Sequence, residues 1–287
     1  MSKYEFNNSA TGLSWLNASF LADAADLAYG DLNQIQNHIK NDLGFLKYKS
    51  FDNQDTQAFL CADDKVIIVA FRGTTSIKDW LTDLKIELVP LPSKVGCIHK
   101  GFNEAIGYVW QDLRQAILDS RNKDQSLWIT GHSLGGALAT LATDRLTEEA
   151  IKVNGLYTFG QPRVGDEAFA NNFDSKMKQC TFRFAHDQDA VTDVPTALQG
   201  YKPIGTEYFF DGKGNLYIDE IGLHKAVSYC DDVAIQPSGN ISEVTGEEHG
   251  SFRDHGLGYY ARFIREKYIK SKAGPKTFAD FANEKPC

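Results

Sequence analysis

The sequence predicts an α/β protein with a mainly parallel central sheet, on three observations. Short apolar runs of strand length recur along the chain, and most are separated by helix-length amphipathic stretches. That alternation requires crossover connections between parallel strands. The longest apolar run, Val66-Ile67-Ile68-Val69-Ala70-Phe71, reads as a buried strand and is far too short to span a bilayer. The composition is that of an ordinary globular chain: 287 residues, 42% hydrophobic and 24% charged. No internal repeat, low-complexity block or linker divides it, so residues 1–287 are expected to form one domain.

The elements follow in order. Leu13, Leu16, Phe20, Ala24 and Leu27 recur at helical spacing and predict an amphipathic first helix. Gln57-Ala58-Phe59-Leu60 and Val66 to Phe71 read as strands, joined by the polar turn Ala62-Asp63-Asp64-Lys65. Ile106, Val109, Trp110, Leu113 and Ile117 mark a helix, and Leu127-Trp128-Ile129-Thr130 a short strand after it. A helix rich in small residues begins just after Ser133, carrying Leu138, Leu141, Ala142 and Leu146. Gly155 to Phe159 and Thr181 to Ala185 read as strands flanking a helical stretch around Glu167 to Lys178. Glu207 to Phe210 and Leu216 to Asp219 surround Asp211-Gly212-Lys213-Gly214-Asn215, a hairpin signal. Tyr259 to Ile269 forms the closing helix, and residues 271–287, with Gly274 and two prolines, read as a tail.

Thirty Lys+Arg against 38 Asp+Glu give a formal charge of −8. Such an acidic balance repels phosphate backbones and anionic membranes, which argues against nucleic-acid binding. The N-terminal 30 residues lack a basic leader before an apolar block, so no secretory signal is read there, and a cytoplasmic or leaderless-exported protein is expected. Five cysteines are scattered, odd in number and without a Cys-x-x-Cys pair, which predicts free thiols rather than a disulfide framework or a metal centre.

Chemistry concentrates at Gly131-His132-Ser133-Leu134-Gly135, a Gly-x-Ser-x-Gly between a strand and a helix. Turning from strand to helix that tightly leaves the central serine strained and exposed, and side chains at 131 and 135 would collide. The helix N-terminus places a positive dipole where an oxyanion would develop. A glycine-rich turn of this kind also cradles phosphate in other proteins. This chain, however, has neither the lysine of a P-loop nor the Gly-x-Gly-x-x-Gly spacing.

Gly131 to Ala137 resembles the nucleophile elbow of the class 3 lipases, the fungal triacylglycerol lipase-like group of α/β-hydrolases. Val69-Ala70-Phe71-Arg72-Gly73-Thr74-Thr75-Ser76 is similar to that family's oxyanion strand end. His99-Lys100-Gly101-Phe102 resembles its His-x-Gly-Phe segment, and Tyr157 to Gly165 its strand and turn after the nucleophile helix. The resemblance spans roughly residues 57 to 260. It implies an α/β-hydrolase fold, no cofactor or metal, and ester hydrolysis by a serine, an acid and a histidine in that chain order.

The loop after the strand ending at Ala185 offers Asp187, Asp189 and Asp193, and the residues alone leave the acid open among them. The family's His-x-x-Asp-x-Val pattern, ending in proline, implies Asp189. Three histidines follow the acid: His224, His249 and His255. The Asp-His…Tyr context of Arg253-Asp254-His255 with Tyr259 and Tyr260 implies His255, with His249 as the alternative. His99, His132 and His186 are expected to pack or to support neighbouring groups. Leu134 and Thr74 are then the expected oxyanion donors through their backbone N–H groups, with the Thr74 hydroxyl beside them.

Ile77, Trp80, Leu81 and Leu84 stand at i, i+3, i+4 and i+7, with Lys78, Asp79, Thr82 and Asp83 on the other face. Such a helix would ordinarily face a core. The family places its lid here, which implies a segment that covers the serine and swings aside at a lipid surface. The expected activity is therefore a serine lipase on acylglycerols, with lipid contact through the lid. A soluble carboxylesterase, a feruloyl-type esterase and a phospholipase are alternatives on the same fold. A non-catalytic α/β-hydrolase-fold binding protein is the alternative of another class.

Overall fold

The computed structural model describes residues 4–93, 95–122, 125–187, 189–219 and 255–272. Twelve strands occur among them: β1 (Lys47–Asn53), β2 (Thr56–Ala62), β3 (Val66–Phe71), β4 (Leu88–Pro90), β5 (Cys97–His99), β6 (Ser126–His132), β7 (Gly155–Phe159), β8 (Gly165–Asp166), β9 (Thr181–His186), β10 (Tyr201–Lys202), β11 (Thr206–Phe210) and β12 (Leu216–Ile218). Eight of these form one sheet in the order β1-β2-β3-β6-β7-β9-β11-β12. The centre of that sheet, β3 to β11, is parallel throughout, and antiparallel strands close both edges. The α/β-hydrolase expectation therefore holds.

The predicted hairpin between β2 and β3 is present, with Ala58 opposite Phe71 and Ala62 opposite Ile67. Asp63 makes its turn by accepting hydrogen bonds from the Lys65 and Val66 N–H groups at 2.8 and 3.0 Å. The second predicted hairpin, β11 with β12, also forms. Strand β1 is absent from the sequence reading. It pairs with β2 across Gln54 and Asp55, both at positive φ (46° and 64°). That geometry is normally announced by Asn-Gly or Asp-Gly, and neither residue here carries the signal. A second sheet, β10-β8-β5-β4, is made of strands of two or three residues, too short to leave a period.

Helices α1 (Trp15–Leu27), α2 (Leu32–Asn37), α3 (Ile77–Asp83), α4 (Lys100–Ser120), α5 (Leu134–Glu148), α6 (Glu167–Met177) and α7 (Leu257–Lys272) surround the sheet. The alternation of β3 shows how the two faces are covered. Ile67, Val69 and Phe71 join a core with Phe102, Ile106 and Leu113 of α4, Leu138 and Leu141 of α5, and Phe169 of α6. Val66, Ile68 and Ala70 join the opposite core with Ala18, Leu21 and Ala25 of α1 and Tyr260, Phe263 and Ile264 of α7. Both faces of the parallel centre are thus dry.

Two expectations on helices are corrected. The deep face of α1 is Asn17, Ala18, Leu21, Ala22, Ala24 and Ala25, with Leu16, Phe20 and Leu27 only half-buried. The small residues lie closest because α1 packs directly on the sheet and on α7, where bulk is excluded. The closing helix runs through Lys272, so 271 and 272 are helical rather than tail; residues 273–287 lie outside the described residues. Cys61, Cys97 and Cys180 are free thiols, and Cys230 and Cys287 lie outside the described residues. No helix among the described residues is long and apolar enough to cross a membrane.

Candidate active site

Parallel strands carry their loops to one edge, so groups following β3, β6 and β9 meet at the carboxyl end of the sheet. Ser133 follows β6 and caps α5, with φ 57° and ψ −132°. A non-glycine residue there is strained, and the surroundings hold it in place. The Ser133 N–H donates to the Phe159 carbonyl at 2.9 Å, and the Gly136 N–H returns to the Ser133 carbonyl at 2.9 Å.

The glycines are required by close backbone approach. A Cβ on Gly131 would sit 2.3 Å from the Gly135 carbonyl oxygen. One on Gly135 would sit 2.3 Å from the Phe71 carbonyl oxygen, so position 135 is kept small by the end of β3 rather than by residue 131. The same contact sets the first turn of α5, including Leu134, beside the segment Arg72-Gly73-Thr74. The Leu134 N–H, the first of α5, has no carbonyl a turn behind it in the helix and is positioned to meet a developing negative charge. The expectation of an exposed serine is corrected: Ser133 is 0% exposed and its Oγ has no hydrogen-bond partner.

The three carboxylates left open by the residues have different surroundings. Asp193 pairs with Arg163, Oδ1 to Nη2 at 3.1 Å. Asp187 turns toward Gly212, where an added Cβ would lie 2.8 Å from its Oδ2. Asp189, 2% exposed, receives His255 Nδ1 on both oxygens at 2.9 and 2.8 Å. The Val191 N–H donates to Oδ1 at 2.9 Å and the Tyr260 hydroxyl to Oδ2. Burial raises the Asp189 carboxyl, but the hydrogen bonds and charge of His255, with Tyr260 and Val191, outweigh it and hold the group below the usual carboxylate range. His255 Nε2, on the far side of the ring, is buried and unpartnered, as is Ser133 Oγ. His224 and His249, the alternatives, lie outside the described residues, as do Arg253 and Asp254.

Three supporting residues went unassigned in the sequence. Tyr260 was read only as context for the histidine. Gly160, at φ 57°, lies so close that a Cβ would be 2.8 Å from Asp189 Oδ2 and 2.9 Å from His255 Cε1. Its positive φ inside a Phe-Gly-Gln turn was the available signal. Tyr29, just past α1, hydrogen-bonds His132 at 2.9 Å and carried no motif. Of the histidines expected to support, His99 accepts from the Phe102 N–H at 3.3 Å at the start of α4, and His186 stacks on Tyr259 at 5.5 Å.

Helix α3 follows the Thr74 segment directly. Ile77, Trp80, Leu81 and Leu84 are half-buried, while Lys78, Asp79 and Thr82 face out. Trp80 stacks on Phe102, with ring centroids 6.1 Å apart and planes at 15°. Trp80, Leu84, Phe102 and Leu134 line a cleft of about 470 Å³.

Fold, elbow and residue order are those of an α/β-hydrolase. Residues 68–199 match the family described as lipase (class 3). The chain is 38% identical over 177 residues to a lipase of Rhizomucor miehei, covering 58% of this chain and 48% of the relative. It is 32% identical over 182 residues to a secreted mono- and diacylglycerol lipase of Fusarium solani, covering 62% and 53%. The solved structure of the Rhizomucor miehei triacylglyceride lipase superposes with a TM-score of 0.60 at 30% identity, over 70% of this chain and 81% of that one. The chain belongs to the class 3 lipase family. It spans about half the length of the curated relatives it matches. The expectation of a cytoplasmic or leaderless-exported protein is overturned by this comparison, since the Fusarium relative is named as secreted. An absent leader motif was weak ground, because it reads only the stretch of sequence at hand.

Proposed function

We propose that this chain is a serine lipase that hydrolyses acylglycerol esters through an acyl-enzyme, with residues 1–287 acting as one domain. The observation that carries the reading is a buried pair of unpartnered atoms, Ser133 Oγ and His255 Nε2, on a histidine whose other nitrogen is clamped by Asp189. Buried polar atoms are normally paired, and leaving either of these unsatisfied is costly unless a reaction uses it.

In this reading His255 Nε2 takes the Ser133 proton as Oγ attacks the ester carbonyl, and Asp189 fixes the tautomer and steadies the imidazolium. The Leu134 and Thr74 N–H groups receive the oxyanion. The imidazolium then gives its proton to the departing alcohol, leaving an acyl-serine. Water, deprotonated by the same nitrogen, attacks that ester, and the proton returns to Ser133 as the fatty acid leaves. None of these steps calls for a cofactor.

Helix α3 is read as the lid. The complete burial of Ser133, with Trp80 and Leu84 beside Leu134, supports a closed arrangement that opens at a lipid surface. The relative named as secreted supports an extracellular setting.

The test is a chain-length series of p-nitrophenyl esters and triacylglycerols on wild type and Ser133→Ala. Turnover that rises on emulsified long-chain substrate and disappears in Ser133→Ala is expected. Activity surviving the substitution contradicts the mechanism. A preference for short soluble esters with no rise at an interface contradicts the lipase reading in favour of a carboxylesterase.

A further inference from the structure

His132 and Tyr29 lie outside the chemistry just described, yet their hydrogen bonds join three separate pieces of the site. His132 is 4% exposed and sits beside the nucleophile. Its Nε2 is 2.7 Å from the His255 backbone carbonyl. A carbonyl only accepts, so that nitrogen carries the proton and Nδ1 is left as an acceptor. Nδ1 is 2.9 Å from the Tyr29 hydroxyl, which therefore donates to it. The tautomer is set at both ends. The His132 and His255 rings lie face to face at a tilt, centroids 4.5 Å apart and planes at 35°.

The Tyr29 hydroxyl also touches the oxyanion segment. A Cβ on Gly73 would lie 2.2 Å from that oxygen, 2.6 Å from the His132 carbonyl oxygen and 3.1 Å from Ser133 Cβ. Burial pushes the Tyr29 hydroxyl far above its ordinary pKa, partly opposed by the Gly73 backbone against it and by the charge of Arg72. The Arg72 guanidinium lies over the Tyr29 ring, 6.0 Å from its centroid. Burial, with the nearby His255, lowers His132 to about 3, so the ring stays neutral and its two bonds persist across the range where an esterase would work. Tyr29 and His255 both fall outside residues 68–199, so the linkage joins the family-matched segment to chain on either side of it.

We infer that Tyr29 and His132 form a positioning relay, Gly73 to Tyr29 to His132 to the His255 carbonyl, that sets the oxyanion segment, the nucleophile turn and the histidine loop in one register. The inference rests on the hydrolase reading for its catalytic consequence. The geometry has a simple logic. Thr74, Ser133 and His255 sit on three different loops, and a misplacement of about 1 Å between reacting groups costs on the order of 100-fold in rate. Van der Waals contact alone leaves such loops free to slide, whereas two directed bonds to one flat ring do not.

The experiment uses the full chain, a soluble p-nitrophenyl ester, and hydrogen–deuterium exchange of peptides covering 71–76 and 255–260. Tyr29→Phe and His132→Leu are each expected to lower kcat by roughly 10- to 100-fold with KM within about twofold. Both variants should also exchange faster in the two peptides. The double variant should be no worse than the weaker single, because the two residues act as one chain. His132→Gln, which keeps a donor for the His255 carbonyl, should recover much of kcat.

A kcat within about threefold of wild type in both single variants overturns the relay, as does unchanged exchange in variants that retain the fold. So does a loss shared equally by KM and kcat. Should wild type show no Ser133-dependent turnover, the hydrolase reading falls by itself, and the exchange rates still decide whether the relay holds the loops.

Discussion

At the residue scale, Asp189 is the group on which most of the local structure converges. Three donors reach its two oxygens inside a dry site, which is why the carboxyl stays ionised despite burial. A carboxyl whose folded pKa is depressed contributes stability above its unfolded value, about 3.9, and loses it as pH falls through the lower folded value. Tyr260→Phe removes one donor from a buried charge and is expected to cost about 1.5–3 kcal/mol, measured by urea unfolding at neutral pH. No change in midpoint would mean that the hydroxyl carries nothing. His132 has the same sign, here because burial keeps the ring from charging. Because burial holds it neutral down to about 3, the unfolded chain takes up a proton below about 6.5 that the folded one refuses. Stability should therefore fall between those two values, and His132→Leu should flatten that slope by close to one proton. The roles of Ser133, Asp189 and His255 were suggested by motif and order. Tyr29, Tyr260 and Gly160 were not, because a hydroxyl or a missing Cβ that serves a neighbour distant in sequence leaves no local pattern.

At the scale of elements, the elbow was legible, whereas reading α3 as a lid rested on resemblance. Strand, glycines and helix in β6 to α5 agree with one another, and Gly131 and Gly135 each answer to a named backbone contact. Gly135→Ala would press a methyl group against the Phe71 carbonyl and is expected to cost about 1–3 kcal/mol, read as a shift in thermal midpoint. Helix α3 has the spacing of any core-facing helix, and its apolar residues are half-buried rather than sealed. In the lid reading, Trp80→Ala changes the ratio of rates on emulsified and monomeric esters. Unchanged turnover on both contradicts it. The strand β1 was illegible because Gln54 and Asp55 adopt positive φ without glycine, and the second sheet because its strands are too short to show a period.

For the whole molecule, the alternation of strands and helices was enough to give the architecture. The parallel centre, two antiparallel edges and two cores follow from apolar runs buried on both faces and from two hairpins with clear turn chemistry. The site then belongs to the topology, since three parallel strands deliver Thr74, Ser133 and Asp189 to one edge and α7 brings His255 to meet them. What composition could not supply was how an acidic chain would meet a lipid; in the lid reading, the apolar face of α3 gives a route that owes little to charge. The central claim is that Ser133 is the acylated nucleophile. An organophosphonate p-nitrophenyl ester followed by peptide mass spectrometry tests it most directly. One phosphonyl group on Ser133, formed in step with complete loss of esterase activity and absent in His255→Ala, is the predicted result. Full inactivation with the label on another residue, or full activity with Ser133 labelled, would contradict it.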